Sequence, residues 1–363
     1  MCAPDQSNDD ADCVTNSKWV LTKRPQGAFC PENDVELQTE TVSLSSLQND
    51  EILVQSTVLS CDAFIRTMLD AEAYHGAVPI GGTLPALGYG KVVAAGADAK
   101  FKVGTVVSGM MGAQTHAKIK SAEAFRMIKF PFMSPTASLG LMGLTSGLTA
   151  YTGMFYVCKR PKKGETVVVT GAAGAVGSVA AQLAKTTGAR IIGVAGGAKK
   201  CAYLVNDLNL DGAIDYKNED KSLEEQINDI CPDGIDFIYD NVGGSILDNL
   251  LGKINPGGRV VICGAISQYS GNLNKGKVEG PSNYLKLAER GAEMKGFNVM
   301  QYMYKLPLAL FGMFYLNMRG KVQMTEHVES GVKSFPFALQ KMFSGGHIGK
   351  MLVDVAGGMQ QEG

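Results

Sequence analysis

"VVVTGAAGAVGSVAAQLAKTTGARIIGVAGG", Val167 to Gly197, sets an apolar run, a loop of small residues, a helical pattern and a second apolar run in succession. Thr166 to Thr170 is β-branched and apolar, as a buried parallel strand requires. Val176, Val179, Ala180 and Leu183 recur at helical spacing, and Gly188 stands where a C-cap belongs. The loop between them reads Ala172-x-Gly174-x-x-Gly177, a dinucleotide fingerprint with alanine at its first position. Small residues there let the backbone approach a pyrophosphate, while the helix N-terminus offers free N–H groups and a partial positive charge. The competing reading is an ordinary βα turn whose glycines serve only close packing. Both flanks match the context that the motif needs, so the dinucleotide reading is preferred.

Which dinucleotide is decided near the end of the second strand. An NAD site places Asp or Glu there, on the ribose 2′-hydroxyl. This chain has Gly196 and Gly197, followed by Lys199 and Lys200. A carboxylate would repel a 2′-phosphate, whereas glycines leave room and a lysine supplies charge and donors. Lysines on the first turn of a helix oppose its dipole, so an anionic partner explains them better than solvent does. The expected cofactor is NADPH/NADP.

Composition bounds the remaining classes. The 363 residues allow two or three domains, and a net charge of −1 gives no basic field for nucleic acid or an anionic membrane. The eight cysteines are scattered without C-x-x-C spacing, which predicts reduced thiols and a cytoplasmic location. The acidic first residues, 1–16, are expected to form a disordered tail rather than a targeting segment. Phe132 to Cys158 carries no charge and is long enough to span a bilayer, but its Gly, Ser and Thr content predicts a buried helix packed between two domains.

Residues 17–133 show short β-like runs at Lys18–Thr22, Glu51–Leu59, Lys91–Ala94 and Thr105–Met110, separated by turn residues, a barrel-like pattern. Residues 134–302 alternate strand and helix patterns through "TVVVT", "RIIGVA", "GAIDY", "IDFIYD", "RVVICG" and "MKGFNV". That alternation predicts a doubly wound parallel sheet, an α/β domain. Residues 303–357 return to a mixed pattern: helices near 304–318 and 335–343, strands near 321–328 and at "KMLVDV".

"ETVVVTGAAGAVGSVAAQLAK", "AGGAKKCAYLVNDLNLDGAIDYKNED", "CPDGIDFIYDNVGG", "CGAISQY" and "GPSNYL" together resemble the zinc-free medium-chain reductases, and within them the prostaglandin/alkenal and curcumin-reductase-like enzymes. The resemblance runs from Lys18 to Val355. It implies a GroES-like β-barrel domain plus a Rossmann domain, with 303–357 returning to the barrel, and a homodimer. It also implies that Thr149, Gly174 to Gly177, Lys200, Tyr216, Asn241, Cys263, Gly264, Ala265, Ile266, Ser267, Phe297, Asn298, Val299 and His347 contact the cofactor. Two departures stand out. Phe64 replaces a tyrosine in Asp62-Ala63-Phe64-Ile65-Arg66, and His347 replaces an asparagine in Gly345-Gly346-His347-Ile348-Gly349-Lys350.

No metal is expected. Cys61-Asp62 faintly resembles a first zinc-ligand region, but Gly88-Tyr89-Gly90 stands where Gly-His-Glu would follow. The four histidines, His75, His116, His327 and His347, share no ligand spacing. Without a Lewis acid, alcohol oxidation loses its usual device. Reduction of a C=C bond conjugated to a carbonyl needs only hydride, a proton and a partner for the developing oxyanion. Tyr269, after the strand "RVVI", is placed to donate that hydrogen bond or proton. By position alone it could equally be a loop aromatic over the nicotinamide; the resemblance, which implicates this tyrosine in catalysis, favours the first. The expected substrate is a small unsaturated carbonyl compound. The alternatives are a quinone reductase, which would need a flat pocket and no proton-donating tyrosine, and a non-enzymatic NADPH-binding protein of the lens-crystallin kind.

Overall fold

The computed structural model describes residues 12–73, 76–270, 278 and 280–357. Its strands in chain order are β1 (Cys13–Leu21), β2 (Val35–Ser43), β3 (Glu51–Ser60), β4 (Leu87–Ala95), β5 (Val106–Met110), β6 (His116–Lys120) and β7 (Phe125–Arg126), then β8 (Thr166–Thr170), β9 (Arg190–Ala195), β10 (Gly212–Asp215), β11 (Ile235–Asp240), β12 (Ile254–Ile262) and β13 (Glu293–Gly296), and last β14 (Glu326–Ser330) and β15 (Lys350–Asp354). The helices are α1 (Pro31–Asp34), α2 (Phe64–Met68), α3 (Gly147–Thr152), α4 (Ala175–Lys185), α5 (Ala198–Ala202), α6 (Leu223–Ile230), α7 (Gly244–Leu251), α8 (Leu285–Arg290), α9 (Leu306–Met318) and α10 (Phe335–Phe343). They divide into two compact units: residues 1–131 with 328–344 and 351–363, and residues 132–327 with 345–350.

The first unit is the GroES-like barrel. A β1–β2 hairpin lies beside a seven-stranded sheet ordered β14-β15-β3-β4-β5-β7, with β6 on β3. Single bridges from Lys18 to Gln114 and from Val20 to Thr83 tie the hairpin down. Alternation along β3, shifted in register between Ser56 and Val58, turns Ile52, Val54 and Leu59 into a core shared with Trp19, Ile65, Val107, Phe335 and Leu339. Trp19 buries its ring there and donates Nε1–H to the Val332 carbonyl at 2.8 Å. The C-terminal α10 thus becomes part of this core.

In the second unit, a six-stranded sheet ordered β10-β9-β8-β11-β12-β13 is parallel throughout. Every residue of β8 is buried, as its central place demands. Helices cover the sheet, and Val168, Ile192, Ile238, Leu250 and Val260 form one apolar cluster. This is the Rossmann-type arrangement that the βα alternation predicts.

Four expectations need correction. The chain is already in β1 at Cys13, and Asn16 is buried, donating to Glu40 and Gln114; the expected tail cannot extend to residue 16. The helix α9 packs on α3 in the second unit, where the Tyr151 ring lies against Gly312, so the return to the barrel begins at Val328 rather than 303. The uncharged stretch 132–158 is not one helix: it folds as turns with a 3-10 segment, and only Gly147–Val157 is helical. Its many glycines explain this, because Gly143 and Gly147 sit against the backbone of Leu139 and Leu141. The strand expected near 321–328 is shifted to β14. Among the described residues no helix is long and apolar enough to cross a membrane.

Candidate active site

A fully parallel sheet puts all its strand ends on one edge, and nearly every candidate residue follows one of those ends directly. Gly174 to Gly177 follow β8, Lys200 follows β9, Tyr216 follows β10, Asn241 follows β11, Cys263 to Ser267 follow β12, and Phe297 to Val299 follow β13. Residues up to 125 positions apart in sequence thereby share the carboxyl edge, where doubly wound folds bind ligands.

At the β8 end, Gly171 turns with φ +59°, and Gly174 caps α4 with no side chain bonding the first turn. The N–H groups of that turn are therefore offered by backbone alone. A Cβ on Gly177 would collide with the Gly171 carbonyl oxygen, so glycine there seats the helix on the strand. The loop is held from its other side by the returning segment 345–350. Gly349 N–H donates to the Ala173 carbonyl at 2.8 Å and pairs with Gly174 as an isolated bridge. His347 is two residues from that clamp.

The β9 and β10 ends build a second cluster. Gly196 is covered by the Tyr216 ring, so the room expected over that glycine is filled by an aromatic side chain. Gly197 (φ +93°) is the open position, with nothing near a would-be Cβ. Its N–H donates to the Asp215 carboxylate at 2.7 Å, which also accepts Lys217 N–H at 2.9 Å. Half-buried Lys200 has its ammonium beside Gly345. Burial, and then the charge of Lys217, hold its pKa below the ordinary lysine value.

The β11 and β12 ends are stitched together around one residue, Asp240. Asp240, fully buried, accepts from Thr170 Oγ1–H at 2.7 Å, Val242 N–H at 3.2 Å and Gly243 N–H at 2.9 Å. Its main-chain oxygen accepts N–H from Cys263 and Gly264. Thr170 Oγ1 in turn accepts Asn241 N–H at 2.8 Å, and Asn241 Nδ2–H donates to the Thr170 carbonyl at 2.7 Å. Ile266 and Ser267 N–H groups bond the carbonyls of Asn241 and Val242. Burial pushes the Cys263 thiol up to about 12, so it is a neutral thiol rather than a nucleophile.

Tyr269 sits at the end of this loop. Its phenolic oxygen accepts Ala265 N–H at 3.3 Å and lies against Gly264. Burial raises its pKa above the ordinary tyrosine value, in opposition to the Ala265 hydrogen bond. The phenol is neutral across physiological pH and retains its own proton for donation.

Thr149 lies on α3, its hydroxyl donating to the Leu144 carbonyl at 2.7 Å and its carbonyl accepting from Tyr239 at 3.2 Å. Phe297 stacks edge-on with Tyr302 at 6.3 Å, and Asn298 caps the turn after it by accepting Met300 N–H. Thr170, Asp215 and Asp240 were not singled out from sequence. The signal was there in each: a largely apolar strand ending on a polar residue at the carboxyl edge.

In the first unit, a Cβ on Gly88 or Gly90 would press into the backbone of β3, so glycine at both positions is fixed by strand packing. Cys61 is buried, and its N–H bonds the Met351 carbonyl. Among the described residues no group of three or more His, Cys, Asp or Glu is arranged to hold a metal; His75 lies outside them. Arg66, beside Phe64, is buried and bonds Asp70 and the Gly27 carbonyl.

Residues 17–127 match the family described as the N-terminal domain of oxidoreductase, and residues 175–309 the family described as zinc-binding dehydrogenase. The chain is 34% identical over 344 residues to the NADP(+)-dependent 2-alkenal reductase of Nicotiana tabacum, covering 94% of this chain and 98% of that one. Prostaglandin reductase 1 of Rattus norvegicus is also 34% identical over 344 residues, covering 94% and 99%. The NADPH-dependent curcumin reductase of Escherichia coli is 31% identical over 345 residues, covering 94% and 97%. Among solved structures, CurA of Vibrio vulnificus in complex with NADPH superposes with a TM-score of 0.84 at 32% identity, covering 93% of this chain and 99% of that one.

Proposed function

Because the chain belongs to the medium-chain dehydrogenase/reductase family, among the alkenal, prostaglandin and curcumin reductases, we propose that it is an NADPH-dependent oxidoreductase that reduces the C=C bond of α,β-unsaturated aldehydes or ketones. The observation that carries this reading is Tyr269. It is a neutral phenol at the carboxyl edge whose oxygen accepts Ala265 N–H and whose proton is available.

The site fits the cofactor on its own chemistry. The uncapped α4 N-terminus suits a pyrophosphate, while open Gly197 and half-buried Lys200 suit a 2′-phosphate. Tyr216 and His347 are assigned to the same end of the cofactor. Thr149, Asn241, Cys263 to Ser267 and Phe297 to Val299 are assigned to the nicotinamide end. When bound, NADPH supplies the hydride.

Tyr269 donates to the substrate carbonyl oxygen, where negative charge develops as the β-carbon is reduced. The Ala265 N–H polarises the phenol and strengthens it as a donor. The α-carbon of the enolate then takes a proton from solvent water, leaving the carbonyl in place. Nothing in this sequence of events asks for a metal, and zinc-independent activity is part of the proposal. So are a homodimeric state and a cytoplasmic location.

Product analysis by NMR after incubation with NADPH and an enal, an enone or a quinone tests it. The expected product is the saturated carbonyl compound. An allylic alcohol, or turnover of the quinone alone, would overturn double-bond reduction.

A further inference from the structure

The outer face of α9, and of the 3-10 turn Val299–Lys305 that leads into it, is apolar where solvent should dictate polar residues. Tyr304, Leu308, Phe311, Tyr315 and Met318 follow one another at spacings of four, three, four and three, which is a single stripe along a helix. All five are exposed; Tyr304, Leu308 and Phe311 are 74%, 67% and 72% accessible. The opposite side of the helix is already used, with Ala309 and Met313 buried and Gly312 against Tyr151. The stripe therefore plays no part in holding α9 to the fold. An exposed apolar strip of this length marks an interaction surface.

Charge selects the occupant. From Val299 to Thr325 the only charged residues are Lys305, Arg319 and Lys321, with no carboxylate. Lys305 stands over the rings of Tyr156 and Tyr304, at 4.6 and 5.7 Å from their centroids. The Arg319 guanidinium lies 5.8 Å from the Tyr315 ring. Cations thus border both ends of the stripe. A second copy fits this poorly: paired antiparallel about Phe311, Lys305 of each chain falls within a turn of Arg319 of the other, and paired parallel each cation meets itself. A flat anionic surface meets both requirements, apolar depth beneath the stripe and negative charge at its rim.

We propose that α9 docks the enzyme peripherally on an anionic bilayer, lying in the interface with Leu308, Phe311 and Tyr315 turned into the acyl region. The 13 residues of α9 make a contact about 20 Å long. The near-zero net charge of the chain does not oppose this, because the attraction is local to three cations and falls off within about a Debye length.

The test is flotation of the full chain with vesicles of phosphatidylcholine containing phosphatidylserine, against vesicles of phosphatidylcholine alone. Binding is expected to the first and at least about tenfold less to the second, and to weaken as salt rises. Each of Lys305→Gln, Arg319→Gln and Lys321→Gln should weaken it about fivefold. Leu308→Glu with Phe311→Glu should abolish it while NADPH-dependent turnover stays at the wild-type level, which also reports that the variant is folded. No binding to the phosphatidylserine vesicles, or binding unaffected by the double variant, overturns the proposal. So does a doubled mass in light scattering that Phe311→Glu halves, since the face would then belong to a second copy.

Discussion

The Tyr269 hydroxyl takes one hydrogen bond from the loop that carries it and keeps one to give. Tyr269→Phe removes that donor, and with it the oxygen that lies against Gly264, while keeping the aromatic ring. Loss of one donor to a developing oxyanion costs about a hundred- to a thousandfold in turnover. Turnover should fall toward that range with KM for the enone little changed; full turnover would remove Tyr269 from the mechanism. Lys200 gives a second prediction, with a pH signature. Its free pKa is held low by burial and Lys217, and a neighbouring phosphate dianion would raise it. A group protonated more firmly in the complex favours binding at lower pH. NADPH affinity should therefore fall as pH rises through the lowered pKa, earlier than for an ordinary lysine. Lys200→Ala should weaken NADPH by roughly 1.5–3 kcal/mol, about ten- to a hundredfold, flatten that pH dependence and leave NADH nearly untouched. Equal losses for both cofactors, measured by steady-state kinetics, would make Lys200 structural.

At the scale of elements, the loop at the β11 end bonds the Asp240 carboxylate and the loop at the β12 end its main-chain oxygen, and β8 reaches them through the hydroxyl and carbonyl of Thr170. Thr170→Val keeps the strand's shape and apolar fit but leaves Asn241 N–H unpartnered and the Asp240 oxygen with Val242 N–H alone. Each buried group left unsatisfied costs roughly 1–3 kcal/mol. The melting temperature should drop and kcat fall, while Thr170→Ser, which keeps the hydroxyl, restores both; a Val variant equal to wild type in both would show that the hydroxyl holds nothing. Element types were legible where pattern was strong. "TVVVT" and "RIIGVA" are strands as expected, and the helix at 335–343 has the expected bounds. Residues 132–158 were misread because an uncharged run looks alike whether its glycines lie in a helix or allow backbone to touch backbone. Over Gly196, sequence shows that a side chain is missing but not that Tyr216 fills the gap.

For the whole molecule, the absence of a metal from the proposed chemistry is the sharpest commitment. Tyr89 stands where the histidine ligand of a catalytic zinc would be, and Gly90, where the acid would be, is pressed against β3 with no room for a side chain. Elemental analysis of the purified protein should find no stoichiometric zinc, and activity should survive a chelator. One zinc per chain, with activity lost on its removal, would refute the zinc-independent reading. Light scattering tests the proposed homodimer in the same preparation.

By itself the sequence determined the order and type of the principal elements, the phosphate loop, and the polarity of the site beyond β9. All are local properties: hydrophobic period fixes strand or helix, and small residues beside a helix start define a turn that backbone can use. It also carried the family resemblance, through motifs that each span a few residues. The tertiary structure decided what depends on residues far apart in the chain. It tied Gly349 to Ala173, gathered Thr170, Asn241 and Cys263 around Asp240, and put α9 in the second unit. It also turned the Tyr304-to-Met318 stripe outward. Periodicity shows that a helix has an apolar face, but only the packing of its neighbours decides whether that face is covered, because burial is a property of the surrounding surface and not of the residue that is buried.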